Sequence, residues 1–150
     1  MLNSVTINSY FFEGLPMHNP SDNTQRTSAQ TILLVEDDAV VRTLTLEVLE
    51  AFGYNVFGAE DADSALTILR SEQALSLLMT DIGLPDISGL ELAEQAQALR
   101  PDIPILLASG YDAQPHQSLQ NGGSNGLIAT ITKPFQLDQL RNTLQSLLAI

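Results

Sequence analysis

The chain has 150 residues, with 18 acidic against 6 basic side chains and a formal charge of −12. Such a surface repels nucleic-acid phosphates and anionic lipid, so neither nucleic acid nor membrane is expected as a partner. Cysteine is absent, which excludes a disulfide framework and any thiolate nucleophile or metal ligand.

The first residues lack a basic stretch followed by a long apolar run, so a cytoplasmic protein is expected. Residues 1–30 are polar and patternless around SDNTQRTSAQ and read as a disordered N-terminal tail. The island SYFFEGL within them is alternatively a partner-binding segment, and Met17 an alternative start. From Thr31 to Ile150 the pattern is that of one domain.

TILLV (31–35) is a continuous apolar strand. Asp38 can cap a helix carrying Val41, Leu44, Val48 and Phe52 at helical spacing, and Gly53 stops it. NVFGA (55–59) is a second strand and residues 62–71 a second helix. LSLLMT (75–80) is a third strand. Ser88 opens a helix with Leu90, Leu92, Ala93 and Ala96, closed by Pro101. IPILLA (103–108) is a fourth strand. Residues 112–126 hold Pro115, Gly122, Gly123 and Gly126 and are weakly helical at best. LIATIT (127–132) is a fifth strand. Pro134 leads into a last amphipathic helix with Leu137, Leu140, Leu144, Leu147 and Leu148 on one side.

Five near-continuous apolar strands alternating with five helical segments predict an α/β fold with a parallel sheet covered on both faces. Right-handed crossovers make it doubly wound, and with strand order 2-1-3-4-5 the functional crevice lies beyond the carboxyl ends of strands one and three. Strand one runs into Glu36, Asp37 and Asp38; strand three into Asp81; strand four into Ser109; strand five into Lys133. Taken singly, each has an ordinary explanation as a helix cap, a turn residue, loop chemistry or a solvated charge. Taken together, they bring carboxylates, a hydroxyl and the chain's one lysine to a single crevice.

Clustered carboxylates repel one another and call for a cation, and hard oxygen ligands in a shallow cleft suit Mg²⁺. A carboxylate can also attack phosphorus and form an aspartyl phosphate, with a metal, an ammonium and a hydroxyl offsetting the phosphoryl charge. Asp81, at the end of the central strand, is the best candidate nucleophile. A flavin binder on this architecture would need a phosphate loop where VEDDAV stands, and those acids would repel it.

ILLVEDD, TDIGLPDISGLEL, ILLASGYD and ITKPF, in this order and spacing, resemble the response-regulator receiver domains of two-component signalling. The wording is most similar to receivers of hybrid histidine kinases and stand-alone regulators. The resemblance implies a flavodoxin-like three-layer sandwich over residues 31–150. It implies Mg²⁺ held by Glu36, Asp37, Asp81 and the backbone carbonyl of Gly83, with Asp38 outside the set. Asp81 is then the phosphoacceptor, Ser109 the hydroxyl that bonds the phosphoryl group, and Lys133 the site lysine, joined to Pro134 by a cis bond. The implied partner is a sensor histidine kinase or a histidine phosphotransfer protein. Self-phosphorylation and self-dephosphorylation at Asp81 are expected rather than a dedicated enzyme activity. The chain after Lys133 has room for one helix, so signalling by protein–protein contact without an output domain is expected. The alternative is a receiver-like interaction module that is never phosphorylated. Thr130 stands where the family usually has an aromatic switch residue, and Gly83 and Tyr111 stand where other members tune hydrolysis. An ordering of residues 112–126 is therefore expected to take over the switching role.

Overall fold

The computed structural model describes residues 29–110 and 128–149. The tail reading of residues 1–28, the switch reading of 112–126 and Tyr111 lie outside these. Five strands form one sheet: β1 (Thr31–Val35), β2 (Asn55–Ala59), β3 (Leu77–Asp81), β4 (Ile105–Ser109) and β5 (Ile128–Thr132). Among the described residues there are four helices: α1 (Ala39–Ala51), α2 (Ala62–Leu69), α3 (Gly89–Leu99) and α4 (Leu137–Leu148). All four strand pairings are parallel and the order is β2-β1-β3-β4-β5, the doubly wound topology that the alternating pattern predicts. None of the described helices is long and apolar enough to cross a membrane.

Alternation along each strand divides the core between the two faces of the sheet. Leu33, Val35, Leu78, Ile105 and Leu107 point to the side covered by α2 and α3, where Ala65, Leu66, Leu92, Ala93 and Ala96 meet them. Ile32, Leu34, Leu77, Met79, Leu106 and Ile131 point to the other side, against Leu49 of α1 and Leu140, Leu144 and Leu147 of α4. Each fully buried aliphatic side chain contributes about 1.5–3 kcal/mol of transfer free energy, so both layers are needed to order a sheet this small.

Strands β3 and β4 start two residues later than their apolar runs, and both run one residue further. Ile103 belongs to the preceding turn, its amide donating to the Arg100 carbonyl at 3.0 Å, and Pro104 has no amide to give to a ladder. Asp81 and Ser109 are therefore the last residues of strands, held by the ladder rather than by loops. Helix α2 closes at Arg70, where residues 62–71 were expected. Arg100 covers its end, donating to the carbonyls of Leu69 at 3.1 Å and Ser71 at 2.9 Å. Gly53 ends α1 at φ 104°, a left-handed conformation that glycine adopts without a Cβ penalty.

α1 buries a different face from the one read in the sequence, whereas α4 buries the expected face except in its first turn. α1 has more apolar residues than one face can bury. Thr45 and Leu49 take the core, Val41, Val48 and Phe52 flank it, and Leu44 is left 57% exposed beside Val40 at 68%. On α4, Leu140, Leu144 and Leu147 are buried, whereas Leu137 in the first turn faces outward.

Gly89 opens α3 directly against β3. A Cβ there would run into the Asp81 carbonyl oxygen and lie 2.8 Å from the Ile82 Cα, both backbone atoms that cannot move aside. Gly89→Ala would gain at most about 1 kcal/mol of helix propensity, while forced overpacking costs about 1–3 kcal/mol or more. The clash wins, so the expected outcome is a lower midpoint in urea denaturation with an unchanged slope.

Candidate functional site

The sheet places the carboxyl ends of β1 and β3 side by side, with Val35 paired to Thr80. Glu36 leaves β1 with its amide on the Ala59 carbonyl at 3.0 Å, which ties it to the end of β2. Its carbonyl accepts from Arg42 Nη1 at 2.8 Å, and the Arg42 stem lies over Gly58 of β2. Asp38 caps α1, its Oδ1 accepting from the amides of Val40 and Val41 at 2.9 and 3.0 Å. That role separates Asp38 from its two acidic neighbours.

Glu36, Asp37 and Asp81 come together, each with a carboxylate oxygen within 4.8 Å of the others'. Glu36 is buried, Asp37 exposed and Asp81 intermediate. The Lys133 ammonium reaches in from the end of β5 to Glu36 Oε1 at 3.1 Å and Asp81 Oδ1 at 3.2 Å. Glu36 Oε2 accepts from the Asp38 amide at 3.1 Å, so both oxygens of the buried acid are engaged. The Lys133 amide donates to the Ser109 carbonyl at 2.7 Å, which fixes the base of the lysine against β4. The Lys133–Pro134 bond is cis.

Gly83 follows β3 by two residues. A Cβ there would lie 3.9 Å from Asp81 Oδ2, so its backbone borders the carboxylate oxygen that Lys133 does not take. Ser109 is buried at the end of β4, one residue past Ala108, the register partner of Asp81. Thr130 is half-buried within β5, paired with Leu107.

Burial by itself pushes the Lys133 ammonium down. The hydrogen bond to Glu36 and the charges of Asp81 and Glu36 outweigh it, and the net shift is upward. Asp86, in the loop after β3, is a residue the sequence reading passed over. Its Oδ1 accepts from the Ala62 amide at 3.1 Å and its Oδ2 from the Asp63 amide at 2.9 Å, at the start of α2. The Ala62 amide, opposed by desolvation and joined by the amides of Asp63 and Ile87, holds the carboxyl below its usual range. Lying between Pro85 and Gly89, it reads in the sequence as an ordinary turn aspartate.

A doubly wound sheet with a lysine-bridged group of carboxylates at its switch point defines the CheY-like class of signalling modules. A crystal structure of such a receiver from Methanospirillum hungatei JF-1 is 33% identical, with a TM-score of 0.72 over 81% of this chain and 95% of that one. Residues 32–145 match the response regulator receiver domain, and the chain belongs to that family of two-component systems. The response regulator receiver protein CpdR of Brucella abortus is 34% identical over 117 residues, 78% of this chain and 95% of CpdR. The probable transcriptional regulatory protein TcrX of Mycobacterium tuberculosis is 30% identical over 120 residues, and there the chain spans 49% of the relative's length.

The lysine pair gives a signed pH dependence. Because folding raises the Lys133 pKa, its contribution is complete below the ordinary lysine value of 10.5 and is lost as pH rises through the folded value. Lys133→Met keeps the stem and leaves Glu36 buried without its counter-charge, at a cost of about 1–3 kcal/mol. Chemical denaturation from pH 7 to 11 should show a constant deficit that narrows only above about pH 10.5.

Proposed function

We propose that the chain is a phosphoacceptor. Asp81 takes a phosphoryl group from a phosphohistidine of a sensor histidine kinase or histidine phosphotransfer protein, and the signal leaves by protein–protein contact. The observation that carries this reading is the Lys133 ammonium lying 3.1 Å from Glu36 and 3.2 Å from Asp81 at the switch point. It sets positive charge beside a carboxylate at the end of the central strand, within the cleft.

One oxygen of Asp81 attacks phosphorus while the P–N bond to the donor imidazole breaks. The bonding pair returns to the ring nitrogen, which takes up a proton. The product is an aspartyl phosphate on Asp81 and a neutral histidine on the donor. Lys133, whose backbone is anchored by its own amide at Ser109, offsets charge on the transferring group. The Ser109 hydroxyl, at the end of the adjacent strand, is the group assigned to a phosphoryl oxygen.

Receiver domains bind Mg²⁺ in an acidic pocket, and the donor set here fits that ion: carboxylates of Asp37 and Asp81, the nearby Gly83 carbonyl, and Glu36 as a buried charge behind them. Bound Mg²⁺ supplies positive charge against the carboxylates and the incoming phosphoryl oxygens.

The donor must dock around the cleft. Next to Lys133, the residues Val41, Leu44, Thr45, Pro134 and Phe135 line an open groove of about 490 Å³. Together with exposed Val40 it offers an apolar face bordering the acids, suited to a helix that carries the phosphohistidine and an apolar stripe. Val40 and Leu44 have no part in the core, which fits a docking role.

Incubation with a small phosphoryl donor and Mg²⁺ should add the mass of one phosphoryl group to the intact protein, and none to Asp81→Asn. A gain that persists in the variant would overturn the assignment. Millimolar Mg²⁺ should also raise the melting temperature. Ligand linkage stabilises the fold by about 1.4 kcal/mol at ten times Kd. Asp37→Ala should be more stable than the native chain without the metal, through relief of repulsion, and should lose the response to Mg²⁺ in thermal denaturation.

A further inference from the structure

We propose that Asp86 is a positioning residue that sets the width of the acid cleft, and hence its affinity for Mg²⁺, by clamping the β3–α3 loop to the start of α2. The proposal rests on the phosphoacceptor reading and extends it to a residue outside the cleft.

The cleft has two walls. One carries Glu36 and Asp37 after β1, and the Glu36 amide ties this wall to the end of β2 through Ala59. Three residues further on, α2 begins at Ala62, capped by Asp61, whose side chain accepts from the Ser64 amide at 2.8 Å. The other wall carries Asp81 and Gly83. The loop behind it is closed at its base, where the Gly89 amide donates to the Ile82 carbonyl at 2.7 Å. Nothing in that closure fixes the loop tip relative to the first wall.

Asp86 supplies this link. Its two oxygens accept from two successive amides of α2, Ala62 at 3.1 Å and Asp63 at 2.9 Å, while Oδ1 also accepts from its own neighbour Ile87 at 3.1 Å. The circuit then runs from Glu36 through β2, α2 and Asp86 to Gly83 and Asp81, so both walls are held at the mouth as well as through the sheet beneath. α2 already has a cap in Asp61, so the Asp86 carboxylate is a second set of acceptors brought from a distant loop. Aspartate suits the task. It offers an acceptor to each amide at once, whereas asparagine has a single acceptor oxygen.

The test is Mg²⁺ affinity in the full chain, read from amide chemical shifts of Asp81 and Gly83 during titration with the metal alone, well below the melting temperature. Outer-shell substitutions that loosen a metal site weaken binding about tenfold or more. Asp86→Ala should raise Kd to that extent, with Asp86→Asn in between. Asp63→Asn removes a neighbouring charge but keeps the backbone amide, and should leave Kd within about twofold. At saturating Mg²⁺ the extent of Asp81 phosphorylation in the Asp86 variants should recover. A purely structural role would lower the melting temperature and leave Kd unchanged. A Kd within about twofold of native for Asp86→Ala, or for Asp86→Asn should the alanine variant not fold, overturns the proposal. So does an Asp63→Asn shift as large as that of Asp86→Asn, which would make the effect one of charge. A native chain that neither binds Mg²⁺ nor gains phosphoryl mass overturns the phosphoacceptor reading itself.

Discussion

Three carboxylates within 4.8 Å of one another are the constraint around which this fold is arranged. At such separations each pair of like charges costs on the order of 4 kcal/mol at an effective dielectric constant of about 20. A sheet of five short strands cannot carry several such terms uncompensated. A single ammonium between Glu36 and Asp81 answers part of the cost, and it reaches that position because β5, two strands away from β3, ends at the same level. The remaining negative charge is what gives a divalent cation its hold on the cleft.

The parallel topology makes this convergence possible. All five strands point their carboxyl ends the same way, so residues far apart in sequence arrive at one rim without any loop having to bring them there. Glu36 and Asp81 stay in place because they are held by the ladder. Glu36 is hydrogen-bonded to the end of β2, Asp81 and Ser109 are the last members of their strands, and Lys133 is tied to Ser109. A site built this way takes its geometry from the sheet, and the loop that follows β3 is tied down at its base by Gly89 and at its tip by Asp86.

Much of this was legible in the chain itself. Apolar runs of strand length, separated by helical spacing, pointed to a doubly wound parallel sheet, while its order 2-1-3-4-5 entered as a supposition that the structure bears out. The strand-end residues Glu36, Asp37, Asp81 and Lys133 could be assembled from topology alone, and Asp38 could be assigned to a cap by its place before α1. What stayed hidden depends on distances that sequence spacing does not encode. Asp86 acts on amides 24 and 23 residues away, and nothing in the stretch PDISG distinguishes it from a turn aspartate. The burial of α1 was misjudged because Val40, Val41, Leu44, Leu46, Val48 and Leu49 leave its apolar face ambiguous. Only packing against Leu34 and Met79 decides that Leu49 goes in and Leu44 stays out. The strand limits shifted because Pro104 cannot donate to a ladder, a local fact that a continuous apolar run obscures.

That Lys133 is the only lysine has a consequence for anyone who handles the protein chemically. Apart from the α-amino group, every amine-selective reagent, whether a fluorophore ester, a crosslinker or an activated resin, has one side chain to find, and it lies in the acid cleft. With its pKa raised, that amine is a poor nucleophile at neutral pH and should react slowly. Once modified, it would leave Glu36 and Asp81 facing each other without a cation. Acylation of this chain is therefore a probe of the cleft and a means of disabling it, and labels meant to be silent belong on other residue types.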